Sequence, residues 1–247
     1  RQTQWHLNAI ADSHITPTQR FLINHGQMLE AAGYSSYAMN RLASMLPAKQ
    51  TFVLTYGQTL KAAGYGGYDM TRLASMLPAE RTFVLTHGQT LKDAGYDGYA
   101  MNGLAAQPAA EQTFILTHGQ TLKDAGYGGD AMNRLASMLP AEQTFVLTHG
   151  QTLKDAGYSG DAMNGLAAQP AAEQTFILTH GQTLKDAGYD GYAMNRLASM
   201  LPAEQTFVLT HGQTLKDAGY SGDAMNGLAA QPAAQRKAEL RRLGIAL

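Results

Sequence analysis

Gly157-Tyr158-Ser159-Gly160-Asp161-Ala162-Met163-Asn164-Gly165-Leu166-Ala167-Ala168-Gln169-Pro170, followed by Ala171-Ala172-Glu173-Gln174-Thr175-Phe176-Ile177-Leu178-Thr179-His180-Gly181-Gln182-Thr183-Leu184-Lys185-Asp186-Ala187, is one period of a pattern that fills most of this chain. Its opening Gly-Tyr returns at Gly33, Gly64, Gly95, Gly126, Gly188 and Gly219, each time 31 residues on. A fixed period of this size marks a solenoid or array, whose units bury their apolar faces only by stacking on neighbours.

Within the period, Gly157 follows Lys154-Asp155-Ala156 and reads as the left-handed residue that stops a helix. Ser159 is an N-cap candidate, as are Asp97, Asp190 and Ser221 at the same place in other units. Asp161 falls in the first turn, where a carboxylate favours the positive end of the helix dipole. Ala162, Met163, Leu166 and Ala167 recur at helical spacing and predict a short first helix of about eight or nine residues. A turn at Gln169-Pro170 precedes a second helix over 171–186, since proline suits the first helical position and disfavours continuation of the earlier helix. Phe176, Ile177, Leu178, Leu184 and Ala187 supply the second helix's apolar face, and Gly181 is placed for close approach of a neighbour.

The expected fold is all-α: a right-handed superhelical α-solenoid of two-helix repeats. Residues 33–234 form the tandem repeats. Residues 1–32 form a degenerate N-terminal capping repeat, in which Phe21, His25-Gly26-Gln27 and Leu29 match the second helix. Residues 235–247 form a basic C-terminal capping helix, as terminal repeats of solenoids are atypical.

Composition narrows the function classes. The chain of 247 residues is 45% hydrophobic and 15% charged, with no cysteine, so disulfides and thiolate metal sites are excluded. No apolar run reaches the roughly 18 residues of a membrane span, and no signal peptide is visible. A soluble chain of unassigned compartment is expected; its opening Arg1 in place of Met suggests a fragment or a processed form. Net charge is −1, but unevenly distributed: residues 33–63 and 235–247 are each +3, whereas 95–234 sum to −7. Bulk charge alone therefore does not supply a polyanion affinity.

The repeats also alternate. Arg-Leu-Ala-Ser-Met-Leu-Pro begins at Arg41, Arg72, Arg134 and Arg196, whereas Gly-Leu-Ala-Ala-Gln-Pro-Ala begins at Gly103, Gly165 and Gly227. Variation concentrated in the inter-helix turn suits a turn that reads something, and drift of a duplicated 62-residue pair accounts for it equally.

The segments Gly157-Tyr158-Ser159, Leu166-Ala167-Ala168, the turn Gln169-Pro170 and Gln174-Thr175-Phe176 resemble the repeats of transcription activator-like effectors (TALEs) and their shorter bacterial relatives. The resemblance covers 33–234, with traces in 5–32. It implies that the variable dipeptide at the loop tip faces the DNA major groove, its second residue touching one base per repeat. Those pairs here are Met45-Leu46, Met76-Leu77, Gln107-Pro108, Met138-Leu139, Gln169-Pro170, Met200-Leu201 and Gln231-Pro232.

The chain departs from the family in its shorter units and in Pro47-Ala48 or Ala109-Ala110 where the family has paired glycines. It also carries Glu80, Glu111, Glu142, Glu173 and Glu204 at a place often basic there, with only Lys49 keeping a positive charge. Leucine and proline tips offer no hydrogen bond to a base edge and are limited to touching a thymine methyl or excluding bulk.

Arg41, Lys49, Arg72, Arg134, Arg196, Arg236, Lys237, Arg241 and Arg242 are the candidate phosphate contacts. For the four repeat arginines, a solvated role at a helix C-terminus is the alternative. His25, His87, His118, His149, His180 and His211 recur too regularly for a single metal site, since helix spacing of about 8–10 Å cannot converge them on one ion. No cofactor is expected. The Met39 to Met225 series reads as core.

No nucleophile–base set or phosphate loop stands out, so no enzyme is expected. The expectation is a monomeric, non-enzymatic binder of double-stranded DNA. The alternatives are a protein-binding α-solenoid, or a repeat array assembled from a consensus unit.

Overall fold

The computed structural model describes residues 15–244; residues 1–14 of the N-terminal capping unit read from sequence, and 245–247, lie outside that range. The chain divides into two compact units, Arg1–Leu116 and Thr117–Leu247. The first holds α1 (Pro17–Ala31), α2 (Ser36–Ala43), α3 (Pro47–Ala62), α4 (Gly67–Leu73), α5 (Pro78–Asp93), α6 (Gly98–Ala105) and the first half of α7 (Ala109–Asp124). The rest of α7 opens the second, followed by α8 (Gly129–Ala136), α9 (Pro140–Asp155), α10 (Gly160–Ala167), α11 (Ala171–Asp186), α12 (Gly191–Ala198), α13 (Pro202–Asp217), α14 (Gly222–Ala229) and α15 (Ala233–Arg242). The described residues contain no strand, and none of their helices is long and apolar enough to cross a membrane.

Each boundary has a local cause. The seven glycines that open the units have φ between 83° and 90°, a conformation a Cβ would strain. Ser159 accepts from the Ala162 amide at 3.3 Å to cap α10, and Asp190 accepts from Ala193 at 2.8 Å to cap α12. The short helices end where a glutamine of the following long helix takes their last carbonyls. Gln174 Nε2 donates to Ala167 O at 2.9 Å and to Gln169 O at 3.0 Å, and Gln50, Gln112, Gln143 and Gln205 repeat the arrangement. Carbonyls orphaned at a helix end are thus satisfied inside the repeat.

Within the first unit, α2 packs on α4 and α4 on α6, while α3 packs on α5. Within the second, α8, α10, α12 and α14 pack in succession, and α9, α11 and α13 do likewise. Each unit is therefore an α-solenoid of paired helices, with short helices in one layer and long ones in the other. The core is repetitive: Met163, Leu166, Ile177 and Leu184 are fully buried, as are their counterparts one period away. Met70, Met101, Met132, Met194 and Met225 are core as expected, whereas Met39 is only half-buried. Gly181 allows the close approach anticipated for it, since a Cβ there would lie 3.2 Å from the Ala156 methyl.

The junction between repeats is polar as well as apolar. Tyr158 Oη donates to Asn195 Oδ1 at 3.0 Å, and Asn195 Nδ2 donates to Ala162 O at 2.9 Å. The same buried relay joins Tyr65, Asn102 and Asp69 O, then Tyr127, Asn164 and Ala131 O, then Tyr189, Asn226 and Ala193 O. Burial, with nearby aspartates adding repulsion, pushes these phenols well above their ordinary range. The junction from Tyr34 differs: Thr71 stands where the asparagine would be, and Tyr34 Oη meets Met70 Sδ at 2.7 Å instead.

Candidate functional site

The loop tips sit between the end of each short helix and the start of each long one. The two residues of the variable dipeptide have different surroundings. Met45, Met76, Met138 and Met200 are half-buried against the body, as are Gln107 and Gln169. Leu46, Leu77, Leu139 and Leu201 project outward with 66–69% of their surface exposed, and Pro108, Pro170 and Pro232 are exposed too. Gln231, in the last repeat described, is exposed. Gln169 shows what the inner residue does: its Nε2 donates to Asn195 O in the next repeat at 3.2 Å.

The alternation of dipeptides has a hydrogen-bond logic. In Met-Leu repeats the N-cap is a leucine with a free amide, and Glu80, Glu142 and Glu204 fold back to accept from Leu77, Leu139 and Leu201 N at 2.6, 2.8 and 2.9 Å. In a Gln-Pro repeat the N-cap is Pro170, which has no N–H to give. Glu173 therefore turns forward and accepts from Ser199 Oγ of the next repeat at 2.7 Å. Serine occupies that place only in Arg-containing repeats, such as Ser75, Ser137 and Ser199, and alanine replaces it in the others. Lys49 makes the corresponding forward link to Ser75 Oγ at 3.2 Å. Glu80, Glu142, Glu173 and Glu204, at the place often basic in the family, thus have partners of their own.

The repeat arginines also reach forward, in two ways. Arg41 lies over the Tyr68 ring, 5.1 Å from its centroid, and Arg72 over Tyr99 at 5.0 Å. Arg134 pairs with Asp161 and Arg196 with Asp223, the latter at 3.0 Å. In each case the partner lies 27 residues later, at the second position of the next short helix. Asp161 therefore meets a guanidinium in addition to lying in the first turn of its own helix. The tyrosines at this place were not singled out by sequence reasoning; the available signal was the Tyr-or-Asp alternation at Tyr68, Tyr99, Asp161, Tyr192 and Asp223.

The terminal cations divide similarly. Arg236 occupies the register of the capping glutamines, lies 5.2 Å over the Phe207 ring and donates to Ala229 O at 3.2 Å. The C-terminal segment is thus a shortened second helix, beginning at Ala233 rather than Gln235 and followed by left-handed Gly244. Arg242 grips Glu239 with two bonds of 2.9 and 2.6 Å, and Tyr220 Oη also donates to that carboxylate. Those donors hold the Glu239 pKa down to about 2. Lys237 and Arg241 are exposed. A cavity of about 490 Å³ lies beside this helix, lined by Phe207, His211, Arg236 and Lys237 among others.

Each of His25, His87, His149, His180 and His211 lies 4.9–5.1 Å from the phenylalanine four residues before it, centroid to centroid. Among the described residues no three His, Cys, Asp or Glu side chains gather in a group able to hold a metal ion. The lysines of the long helices close the helix ends instead: Lys154, Lys185 and Lys216 donate to Asp124, Asp155 and Asp186 O at 2.5–2.6 Å.

Comparison with known proteins adds no relative: no family model, curated protein or solved structure matches the chain.

Proposed function

We propose that the chain is a non-enzymatic binder of double-stranded DNA that presents its inter-helix loop tips to the major groove, about one base per repeat. The observation that carries this reading is the division of labour in the turn. In six of the seven variable pairs, all but Gln231-Pro232, one residue is half-buried against the body and the other stands exposed at the 31-residue period. Exposed Leu46, Leu77, Leu139 and Leu201 suit van der Waals contact with the 5-methyl group of thymine. The TALE-like segments of the repeat support the same assignment.

A fluorescence-polarisation titration tests it, using random-sequence duplex DNA beside RNA and single strands over a range of salt. Saturable duplex binding that weakens linearly with log salt is expected. Absence of duplex binding at about 50 mM salt, where phosphate contacts are strong, refutes it.

A second reading, a protein-binding solenoid, draws on a different observation. Residues 95–234 carry a net charge of −7, and Leu139, Tyr192 and Leu201 are exposed there. That combination suits a basic, partly apolar peptide. Retention of such a peptide by a protein that ignores duplex DNA favours this reading.

A further inference from the structure

The four repeat arginines are not equivalent, and the difference follows the partner each one finds in the next repeat. Arg134 and Arg196 face carboxylates, Asp161 and Asp223. Each such pair has no net charge towards a distant anion. Arg41 and Arg72 face the π-surfaces of Tyr68 and Tyr99. A ring face attracts a guanidinium through its quadrupole but does not cancel its charge. Both arginines are exposed, and the ring holds each in a fixed direction.

Lys49 reinforces them, because its partner Ser75 is neutral. Asp69 lies close to Arg72 in sequence and in field. Its carboxylate accepts from the Gly66 backbone amide and also feels the charge of Asp97. Arg72 is therefore somewhat more shielded than Arg41, whose own repeat, 33–63, contains no acidic residue.

We infer that, among Arg41, Lys49, Arg72, Arg134 and Arg196, the polyanion-binding charge is carried by Arg41, Lys49 and Arg72 in the first unit, and that Arg134 and Arg196 are structural clamps. Resting on the DNA-binding reading, this makes phosphate contact directional. The N-terminal repeats anchor the nucleic-acid backbone, while the acidic C-terminal repeats present loop tips without backbone contacts of their own. The placement of tyrosine or aspartate at the second position of the short helix sets which arginines are available.

The test uses the full chain and its variants Arg41→Gln, Arg72→Gln, Arg134→Gln and Arg196→Gln, each checked for its wild-type helical signal. Polarisation against random duplex DNA at several salt concentrations yields the slope of log K against log salt. Each lost phosphate contact lowers that slope by about 0.9. The drop is expected for Arg41→Gln and, somewhat smaller, for Arg72→Gln, with none for Arg134→Gln or Arg196→Gln. Equal drops in both pairs, or none in the first pair, overturn the inference.

Asp161→Asn supplies the converse arm by uncovering Arg134 without removing it. The slope is expected to rise, and to fall back in Asp161→Asn/Arg134→Gln; an unchanged slope in Asp161→Asn counts against masking. Retention on immobilised heparin separates this inference from the DNA reading. If the protein ignores duplex DNA, yet elutes from heparin at lower salt only in Arg41→Gln and Arg72→Gln, the polyanion surface stands and the DNA function falls. No heparin retention and no duplex binding overturn both.

Discussion

Replacing Asn195 with alanine removes the centre of a buried relay, and the structure sets the size of the effect. Asn195 is 8% exposed, accepts from Tyr158 Oη at 3.0 Å and donates to Ala162 O at 2.9 Å. After truncation the Tyr158 hydroxyl is a buried donor without a partner, which costs about 1–3 kcal/mol. The Ala162 carbonyl keeps its own helical bond, so the loss there is the smaller net worth of one hydrogen bond, about 0.5–1.5 kcal/mol. The sum, about 1.5–4.5 kcal/mol, exceeds the usual effect of a surface change by several-fold.

Urea denaturation followed by circular dichroism reads it, with a fall in midpoint expected for Asn195→Ala. A lower slope would mark uncoupling of the repeats on either side of the junction. The double-mutant cycle with Tyr158→Phe isolates the pair: the double variant should cost less than the two singles added, because it leaves no unpaired hydroxyl. The converse substitution, Thr71→Asn, supplies an asparagine where Tyr34 now meets only sulfur, and a gain of about 1 kcal/mol is expected. An Asn195→Ala protein within about 0.5 kcal/mol of wild type, or strict additivity with Tyr158→Phe, refutes the reasoning.

Two further outcomes follow from the same junctions. The phenols of Tyr65, Tyr127, Tyr158 and Tyr189 are raised above their ordinary value by burial, so the folded state keeps protons that the unfolded chain loses above about pH 10. Their contribution is complete below pH 10 and falls as pH rises beyond it; stability measured across pH 8–12 should be level first and then drop by up to about 1.4 kcal/mol per unit for each such tyrosine. Ionisation of these rings near pH 10 in the folded protein, read by ultraviolet absorbance, contradicts this. Gly191→Ala places a Cβ 2.8 Å from the Ala162 methyl and 2.9 Å from Tyr158 Cδ1, so the α10–α12 contact has to open. A loss of about 1–3 kcal/mol is expected, and a thermal midpoint equal to wild type would show that the junction yields freely.

Much of the repeat is legible in the amino-acid sequence. Gly157, Ser159, Pro170 and the run from Ala171 to Asp186 announce their roles through chemistry that acts within a few residues, and the helices begin and end where that chemistry places them. The loop tips were legible as a location. Which half of each dipeptide is exposed was not, because the burial of Met200 or Gln169 depends on the body and on the next repeat. Asn164 and Asn195 were given no role from sequence, although an asparagine beside buried Met163 or Met194 in nearly every repeat was a usable signal. Arg134 offered two readings from sequence, phosphate contact or helix-dipole partner; in the fold it meets Asp161.

The sequence by itself determined that this chain forms paired helices of set length, joined by a two-residue turn and repeated every 31 residues. Propensity, capping and left-handed glycine are all local. Only the tertiary structure decided which cations keep their charge, which glutamates cap and which reach across, and which tyrosines meet which asparagines. Those partners lie 26, 27 and 37 residues apart. Their meeting depends on how far one repeat is translated and rotated onto the next, a quantity set by packing such as that of Gly191 against Ala162 and Tyr158.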